Sequence, residues 1–225
     1  ISNAAKEPEI NDLANCLNKA GADIKGIGTS NLIINGVKKL NKVSHSVVSD
    51  RIEAGSFAIA SSITMGNIEI NNVDPKNLTE FINVLRMTGT RVDVANNSLN
   101  VSCSKRPEPF DVITNPFPGF PTDLQAQYMA LMAISSGKTL IKETIFENRF
   151  MHVPELMRMG AKISINHQEA EIFGVNKLKG AKVMASDLRA SMCLILGALS
   201  ASGTSEIDGL YHLDRGYENL ENKLT

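Results

Sequence analysis

The sequence has no tryptophan, few aromatic residues, three cysteines and almost no net charge. Cys16, Cys103 and Cys193 lie far apart, which excludes a disulfide framework or a cysteine metal knuckle and favours buried thiols in a reducing cytosol. The 23 Lys and Arg residues balance 24 Asp and Glu residues, which excludes bulk electrostatic binding to nucleic acid or anionic lipid. No apolar run approaches about 18 residues, so we expect no membrane partner. We therefore predict a cytoplasmic protein, and its 43% hydrophobic content indicates a globular one.

The chain also lacks the familiar motifs for cofactors and nucleophiles. No GxGxxG, P-loop, GxSxG or HExxH pattern occurs. His152 and His212 each lie close to an arginine, but no second histidine or cysteine stands at ligand spacing. We therefore expect neither a metal nor a cofactor.

A threefold internal repeat is the strongest pattern that the sequence does contain. Three segments end a helix and begin a strand in the same way: LNKAGADI (17–24), LRMTGTRV (85–92) and LMRMGAKI (156–163). Their glycines, Gly21, Gly89 and Gly160, lie about 70 residues apart. Glycine takes the left-handed conformation at a helix C-terminus without a Cβ penalty, so a helix end is expected at each. Alternating apolar segments follow and predict hairpins with one buried face.

A second element recurs three times, as an aspartate, an apolar helix rich in small residues, and a glycine. Its copies are DRIEAGSFAIASSITMG (50–66), DLQAQYMALMAISSG (123–137) and DLRASMCLILGALSASG (187–203). Each aspartate is predicted to cap its helix at the N-terminus. The small residues predict helices packed closely on all sides. One unit therefore consists of helix, strand, helix, strand and strand.

The units are permuted along the chain. It opens on the back half of one unit (1–47), runs through two whole units (about 48–113 and 114–184), and closes on the front part of another. This order predicts either a complete permuted array or a piece of a longer chain. We favour the second, because both ends cut through a unit.

Asp123 stands out among the three helix-heading aspartates. It follows PFPGFPT, in which three prolines enforce an extended approach and delay the helix until Thr122. The other two copies lack this rigid lead-in and fit a simple capping role. A carboxylate at a helix N-terminus also faces favourable backbone N–H groups. Asp123 is therefore a candidate for chemistry as well as for capping.

Arg189 lies in the first turn of the third apolar helix, where a cation is electrostatically misplaced. A bound anion would explain it, since N–H groups and a guanidinium would converge there. Arg51 occupies a similar place and allows a structural reading. Arg149 and Arg215 share another equivalent position one unit apart, where a turn salt bridge to Glu147 or Asp214 competes with a functional role.

The sequence closely resembles the UDP-N-acetylglucosamine enolpyruvyl transferases in several phrases: SDRIEAG, FPTDLQAQ, ETIFENRFMHVPELMRMGA, MASDLRAS and YHLDRGYENLENKL. The resemblance covers essentially the whole chain. It implies an α/β fold in which each domain is an inside-out α/β barrel of three βαβαββ-type units. Residues 1–47 would be the last part of a first, catalytic-loop domain. Residues 48–225 would be a nearly complete second domain that lacks its final hairpin.

The resemblance also implies a reaction and the residues that perform it. The family transfers the enolpyruvyl group of phosphoenolpyruvate to the 3′-hydroxyl of UDP-N-acetylglucosamine and releases phosphate, in the first committed step of peptidoglycan synthesis. Asp123 matches the aspartate that contacts the sugar nucleotide and acts as the base. Ile145 matches a position whose backbone contacts the same substrate. Arg189 and Arg215 match the two arginines that clamp phosphoenolpyruvate, and Arg215 also matches a catalytic position.

Other parts of the family's site have no counterpart in these residues. The loop cysteine, the Lys-Asn pair and the uridine loop are absent, and none of the three cysteines lies in the cysteine motif. The resemblance therefore implies a missing first-domain segment as partner and no transferase activity for the chain alone. Two alternatives stay open. One is a paralogue with another acceptor; the other is a non-catalytic repeat scaffold, which the near-zero charge does not favour.

Overall fold

The computed structural model describes residues 1–224; Thr225, the last residue of the expected 48–225 domain, lies outside the described residues. The helices are α1 (Pro8–Lys19), α2 (Arg51–Ile63), α3 (Thr79–Met87), α4 (Gln125–Ala133), α5 (Val153–Arg158), α6 (Leu188–Ser200) and α7 (Leu220–Leu224). Short 3₁₀ helices span Pro75–Leu78, Thr122–Leu124 and Leu210–Arg215. The strands are β1 (Asp23–Lys25), β2 (Ile33–Asn35), β3 (Asn67–Asn71), β4 (Arg91–Val94), β5 (Ser98–Ser102), β6 (Val112–Ile113), β7 (Lys138–Lys142), β8 (Lys162–Asn166), β9 (Glu169–Phe173), β10 (Lys182–Met184) and β11 (Glu206–Asp208).

Helices α2, α4 and α6 pack against one another at the centre of the molecule. Every residue of α4 is buried, as are eleven of the thirteen residues of α2. Alanine and serine make this close packing feasible, because they occupy little space between neighbouring helices. The hydroxyls of Ser56 and Ser62 donate to the carbonyls of Ile52 and Ala58, so these buried serines are satisfied within their own helix.

The sheets cover these central helices from outside. One has the strand order β3-β5-β4, a second has the order β6-β7-β9-β8, and β10 pairs with β11 in parallel. The inner strands alternate as expected for one buried face: Leu99 and Val101 of β5, and Ala170 and Ile172 of β9, are fully buried. Helices inside and sheets outside confirm the predicted inside-out α/β arrangement.

The repeat boundaries differ from those predicted. β6 pairs in parallel with β7, and β10 pairs in parallel with β11, so each strand belongs to the unit that follows it. The second unit therefore begins at Val112 instead of 114, and the third begins at Lys182 instead of 185. Strands of two and three residues carry too little hydrophobic pattern to be recognised as unit starts.

The predicted helix ends are confirmed at all three repeat glycines. Gly21, Gly89 and Gly160 have φ angles of 101°, 83° and 93°, and each directly follows the C-cap residue of the helix in its unit. A side chain at these positions would be strained in the left-handed region, which explains why glycine recurs there.

The N-terminal segment contributes α1 and the β1–β2 hairpin, in which Asp23 pairs with Asn35. It meets the rest of the chain partly through an ion pair between Glu9 and Arg51, whose Nε lies 2.9 Å from the carboxylate. The Arg51 side chain is buried and that of Glu9 is half exposed, so water reaches this ion pair from the Glu9 side. Among residues 1–224, no helix is both long and apolar enough to cross a membrane.

Candidate active site

Asp123 does not cap its helix, in contrast to the prediction. Pro121 precedes the 3₁₀ helix Thr122–Leu124, which places Asp123 inside the first turn, and no side chain caps this helix. Asp50 and Asp187 do cap α2 and α6, and each accepts hydrogen bonds from two backbone N–H groups. The proline-rich lead-in therefore frees one of the three aspartates for other contacts.

The freed carboxylate of Asp123 binds two arginines through a single oxygen. Arg149 Nη2 lies 2.7 Å from Oδ1, and Arg189 Nε lies 3.2 Å from the same atom. Oδ2 has no hydrogen-bond donor among the side chains and backbone of residues 1–224, and it is not among the buried polar atoms without a partner. It is therefore the oxygen that can accept a hydrogen bond from a ligand hydroxyl.

Each arginine reaches Asp123 from a different repeat element. Arg189 lies in the first turn of α6, where its own backbone N–H donates to Asp187. Arg149 lies between β7 and α5, and its guanidinium carbon lies 4.9 Å from the centre of the Phe146 ring. Of the two alternatives left open for Arg149, the turn salt bridge with Glu147 is not found among residues 1–224, and the ionic partner of Arg149 is Asp123. Such a partner, 26 residues away, leaves no local sequence signal.

The charges around Asp123 favour its ionised form. Burial opposes ionisation, but the positive charges of Arg189 and Arg149 outweigh it, and the pKa of Asp123 lies below its usual value. For Arg189, burial alone would lower the pKa, but the Asp123 carboxylate raises it overall. The site thus presents a permanent carboxylate flanked by permanent cations at neutral pH.

Asp123 lies where two cavities meet. The larger, about 810 Å³, lies between the N-terminal segment and the central helices, with Arg189, Arg51, Glu9 and His45 in its wall. The smaller, about 140 Å³, is lined by Asp123 and Ile145 together with the Pro116–Pro121 turn. The structure therefore brings Asp123, Ile145 and Arg189 together.

Arg215 is not part of this cluster. It ends the 3₁₀ helix Leu210–Arg215, is exposed, and forms no ion pair with any residue of 1–224, Asp214 included. Two residues later, Tyr217 is buried, and its hydroxyl lies 2.8 Å from Ser56 Oγ of α2 and 3.3 Å from Gln127 Nε2 of α4. Tyr217 thus anchors this segment to the central helices while leaving the Arg215 guanidinium accessible.

Arg51 lies in the first turn of α2, as Arg189 does in α6, and it has the structural role that the sequence analysis allowed. Its side chain is only 8% exposed and pairs with Glu9. His152 is buried and lies at the start of α5, with Nε2 3.3 Å from the sulfur of Met129. Within residues 1–224, no group of three or more His, Cys, Asp and Glu side chains is arranged to hold a metal ion.

A further residue at this site, Glu143, was missed by the sequence reasoning. It directly follows β7 and is 1% exposed, yet it has no cationic partner among residues 1–224. Its carboxylate binds the backbone N–H of Ile145 and the hydroxyl of Thr122, the neighbour of Asp123. A carboxylate directly after β7, a strand with one buried face, was the available signal.

The fold places this chain in a structural class that includes enolpyruvyl transferases. The crystal structure of the enolpyruvyl transferase NikO from Streptomyces tendae matches 99% of this chain with a TM-score of 0.87 and 26% identity, over 54% of its own chain. EPSP synthase from Acinetobacter baumannii shares the fold, with a TM-score of 0.70 and 18% identity over 93% of this chain and 53% of its own. The chain belongs to the EPSP synthase (3-phosphoshikimate 1-carboxyvinyltransferase) family, whose sequence model matches residues 1–224.

Curated relatives are more similar in sequence. The UDP-N-acetylglucosamine 1-carboxyvinyltransferase of Rhizobium etli is 51% identical over 226 residues, which is 100% of this chain and 53% of that protein. The protein of the same name from Orientia tsutsugamushi is 51% identical over 225 residues, with the same coverage. The chain thus spans about half the length of the curated relatives that it matches.

Proposed function

We propose that this chain supplies one half of an enzyme that transfers the enolpyruvyl group of phosphoenolpyruvate to the 3′-hydroxyl of UDP-N-acetylglucosamine. Phosphate is released, and the product enters peptidoglycan synthesis. The observation that carries the proposal is the Asp123 carboxylate, held on Oδ1 by Arg149 and Arg189 with Oδ2 free to accept a hydroxyl. The names of the curated relatives at about 51% identity support the choice of substrates.

Asp123 acts as the base in this proposal. Its Oδ2 accepts the proton of the sugar hydroxyl as that oxygen attacks C2 of phosphoenolpyruvate, and an acid elsewhere protonates the methylene carbon. The resulting tetrahedral adduct then loses a methyl proton and phosphate, which restores the double bond. The backbone at Ile145 contacts the sugar nucleotide in the pocket that it shares with Asp123.

Arg189 and Arg215 bind the anionic groups of phosphoenolpyruvate. A guanidinium is permanently charged and binds carboxylate or phosphate through paired hydrogen bonds. Arg189 lies in the wall of the larger cavity, which it shares with Asp123. Arg215 is exposed without an ion pair in residues 1–224, which leaves it available to bind the substrate when the site is complete.

The proposal includes a division of the chain. Residues 1–47 belong to a first domain, and residues 48–225 form most of a second domain. The acid for the methylene carbon and further substrate contacts come from a segment equivalent to the part of the relatives that this chain does not match. We place the enzyme in the cytoplasm, in keeping with the free thiols of Cys16, Cys103 and Cys193.

The test uses the 225-residue chain alone and the same chain fused to the part of the Rhizobium etli relative that it does not match. We refer to this fusion as the complemented protein. We expect phosphate release from the complemented protein with both substrates present, and none from the chain alone. Transfer to shikimate 3-phosphate in place of the sugar nucleotide would support a paralogue. Release of phosphate by the isolated chain would refute the need for the second half.

A further inference from the structure

Glu143 is a buried carboxylate without a cationic partner in residues 1–224. Four donors take the place of water around it. Oε1 accepts from Thr114 Oγ1 at 3.0 Å, from the Ile145 N–H at 2.8 Å and from the Phe146 N–H at 3.1 Å. Oε2 accepts from Thr122 Oγ1 at 2.9 Å. These four hydrogen bonds replace the water that would otherwise solvate the buried carboxylate. The same hydrogen bonds restrain the positions of the groups that donate them.

The four donors lie in three segments that are separate in sequence. Thr114 follows β6, Thr122 precedes Asp123, and the Ile145–Phe146 backbone begins the loop after β7. A second set of hydrogen bonds joins two of these segments, since the Thr144 N–H donates to Thr114 Oγ1 at 2.9 Å. Glu143 thus connects both walls of the small cavity that Asp123 and Ile145 share.

We propose that Glu143 is a positioning residue for the sugar-nucleotide side of the site. It holds the Ile145 backbone in place to contact the substrate, and through Thr122 it fixes the turn that carries Asp123. It reaches no substrate atom itself. The inference rests on the proposed function, because it assigns Glu143 to the sugar nucleotide and leaves phosphoenolpyruvate to Arg189 and Arg215.

The identity of the groups that bind Glu143 distinguishes a positioning role from a purely structural one. None of its four donors belongs to Arg189, Arg149 or Arg215. Loosening Glu143 therefore acts directly on the Ile145 loop and the Thr122 turn, and it reaches Arg189 only indirectly, through Asp123. A residue that merely stabilised the fold would affect both substrates together.

The first measurement uses the 225-residue chain and needs no activity. Amide hydrogen exchange at Ile145 and Phe146 is compared between wild type, Glu143→Gln and Glu143→Ala. We expect exchange to increase about tenfold in Glu143→Ala, since each N–H loses a charge-assisted hydrogen bond. Glu143→Gln keeps one acceptor oxygen and gives a smaller increase. Glu171→Ala is the matched control, because it removes a partly exposed glutamate that pairs with Lys138 on the same sheet.

The second measurement uses the complemented protein. We expect Glu143→Ala to raise the KM for UDP-N-acetylglucosamine about tenfold, with the KM for phosphoenolpyruvate within about twofold of wild type. Thr122→Val serves as a second variant in case Glu143→Ala does not fold. It removes only the contact to Oε2 and should raise the same KM without faster exchange at Ile145.

The outcomes decide the inference and the proposed function separately. Unchanged exchange at Ile145 and Phe146 in Glu143→Ala, or an equal rise in KM for both substrates in either variant, overturns the positioning role. If the complemented wild type transfers no enolpyruvyl group, the proposed function fails, and Glu143 is judged on amide exchange alone. In that case, faster amide exchange in Glu143→Ala supports the claim that Glu143 positions the Ile145 loop. An unchanged exchange rate overturns that claim.

Discussion

Arg149 donates a 2.7 Å hydrogen bond to the same oxygen of Asp123 that Arg189 contacts from the next repeat. One carboxylate oxygen is therefore occupied by two cations while the other is left free. This division separates two tasks. Oδ1 fixes the orientation and charge of the side chain, and Oδ2 is available for a substrate hydroxyl.

The change Asp123→Asn removes the proposed base with little change of shape. We expect kcat of the complemented protein to fall by about 10²- to 10⁴-fold, the usual contribution of general base catalysis. The measurement is phosphate release at saturating substrates. Asp93→Asn is the matched control, because Asp93 lies on β4 and pairs with the exposed Arg91. Near-normal turnover in Asp123→Asn would refute the assigned role.

The change Arg149→Ala removes one of the cations that hold the pKa of Asp123 below its usual value. We expect the pKa of Asp123 to rise, so that activity is lost at a higher pH as the solution is acidified. The pH dependence of kcat/KM in the complemented protein measures this shift. Arg158→Ala is the control, because Arg158 pairs with Glu155 on the surface. An acidic limb at the same pH in Arg149→Ala and wild type would contradict the expectation.

The buried His152 makes the free energy of unfolding depend on pH. Burial lowers its pKa to about 4, from an ordinary value of 6.5. The unfolded chain therefore binds a proton between these pH values that the folded chain does not, and stability falls as the pH drops through this window. We expect a loss of about 2 kcal/mol from this residue between pH 7 and pH 5.

The measurement for His152 is urea unfolding of the 225-residue chain at both pH values. His152→Gln should reduce the difference in unfolding free energy between pH 7 and pH 5. The control is His167→Asn, which changes an exposed turn residue with a positive φ that asparagine tolerates. An unchanged pH dependence in His152→Gln would show that other groups cause it.

Gly174 is predicted to be intolerant of a side chain. A methyl group there would overlap the carbonyl oxygen of Ser135, which is backbone and cannot move aside easily. We expect Gly174→Ala to lower the free energy of unfolding by about 1–3 kcal/mol. The matched control is Gly36→Ala in the N-terminal segment, where no atom lies within 4 Å of the added carbon. Equal stability of the two variants would contradict the model of a tight contact.

Sequence reasoning succeeded where a single residue type has a local physical meaning. The left-handed glycines at Gly21, Gly89 and Gly160 and the capping role of Asp50 and Asp187 follow from the conformations that these residues favour. The central helices follow from long runs of small apolar residues. These local rules suffice to predict the repeat, whereas the inside-out packing was expected only from the resemblance to a known family.

Sequence reasoning failed where the role of a residue depends on a contact with a residue that is distant along the chain. The ion pair of Arg149 with Asp123 and the hydrogen bonds of Glu143 to Thr114 and Thr122 join segments that only the fold brings together. The capping prediction for Asp123 failed because a 3₁₀ helix begins at Thr122, two residues before the first helical residue that capping by Asp123 would require. The starts of the repeat units were misplaced because β6 and β10 are too short to show a pattern.

The mutual packing of α2, α4 and α6 has a consequence for how the molecule unfolds. In a linear repeat array each unit touches only its neighbours, so units can be lost from an end one at a time. Here each central helix contacts the other two, so loss of any unit exposes the buried faces of both that remain. The repeats of this chain should therefore melt together in one cooperative transition, although their sequences recur like those of a solenoid.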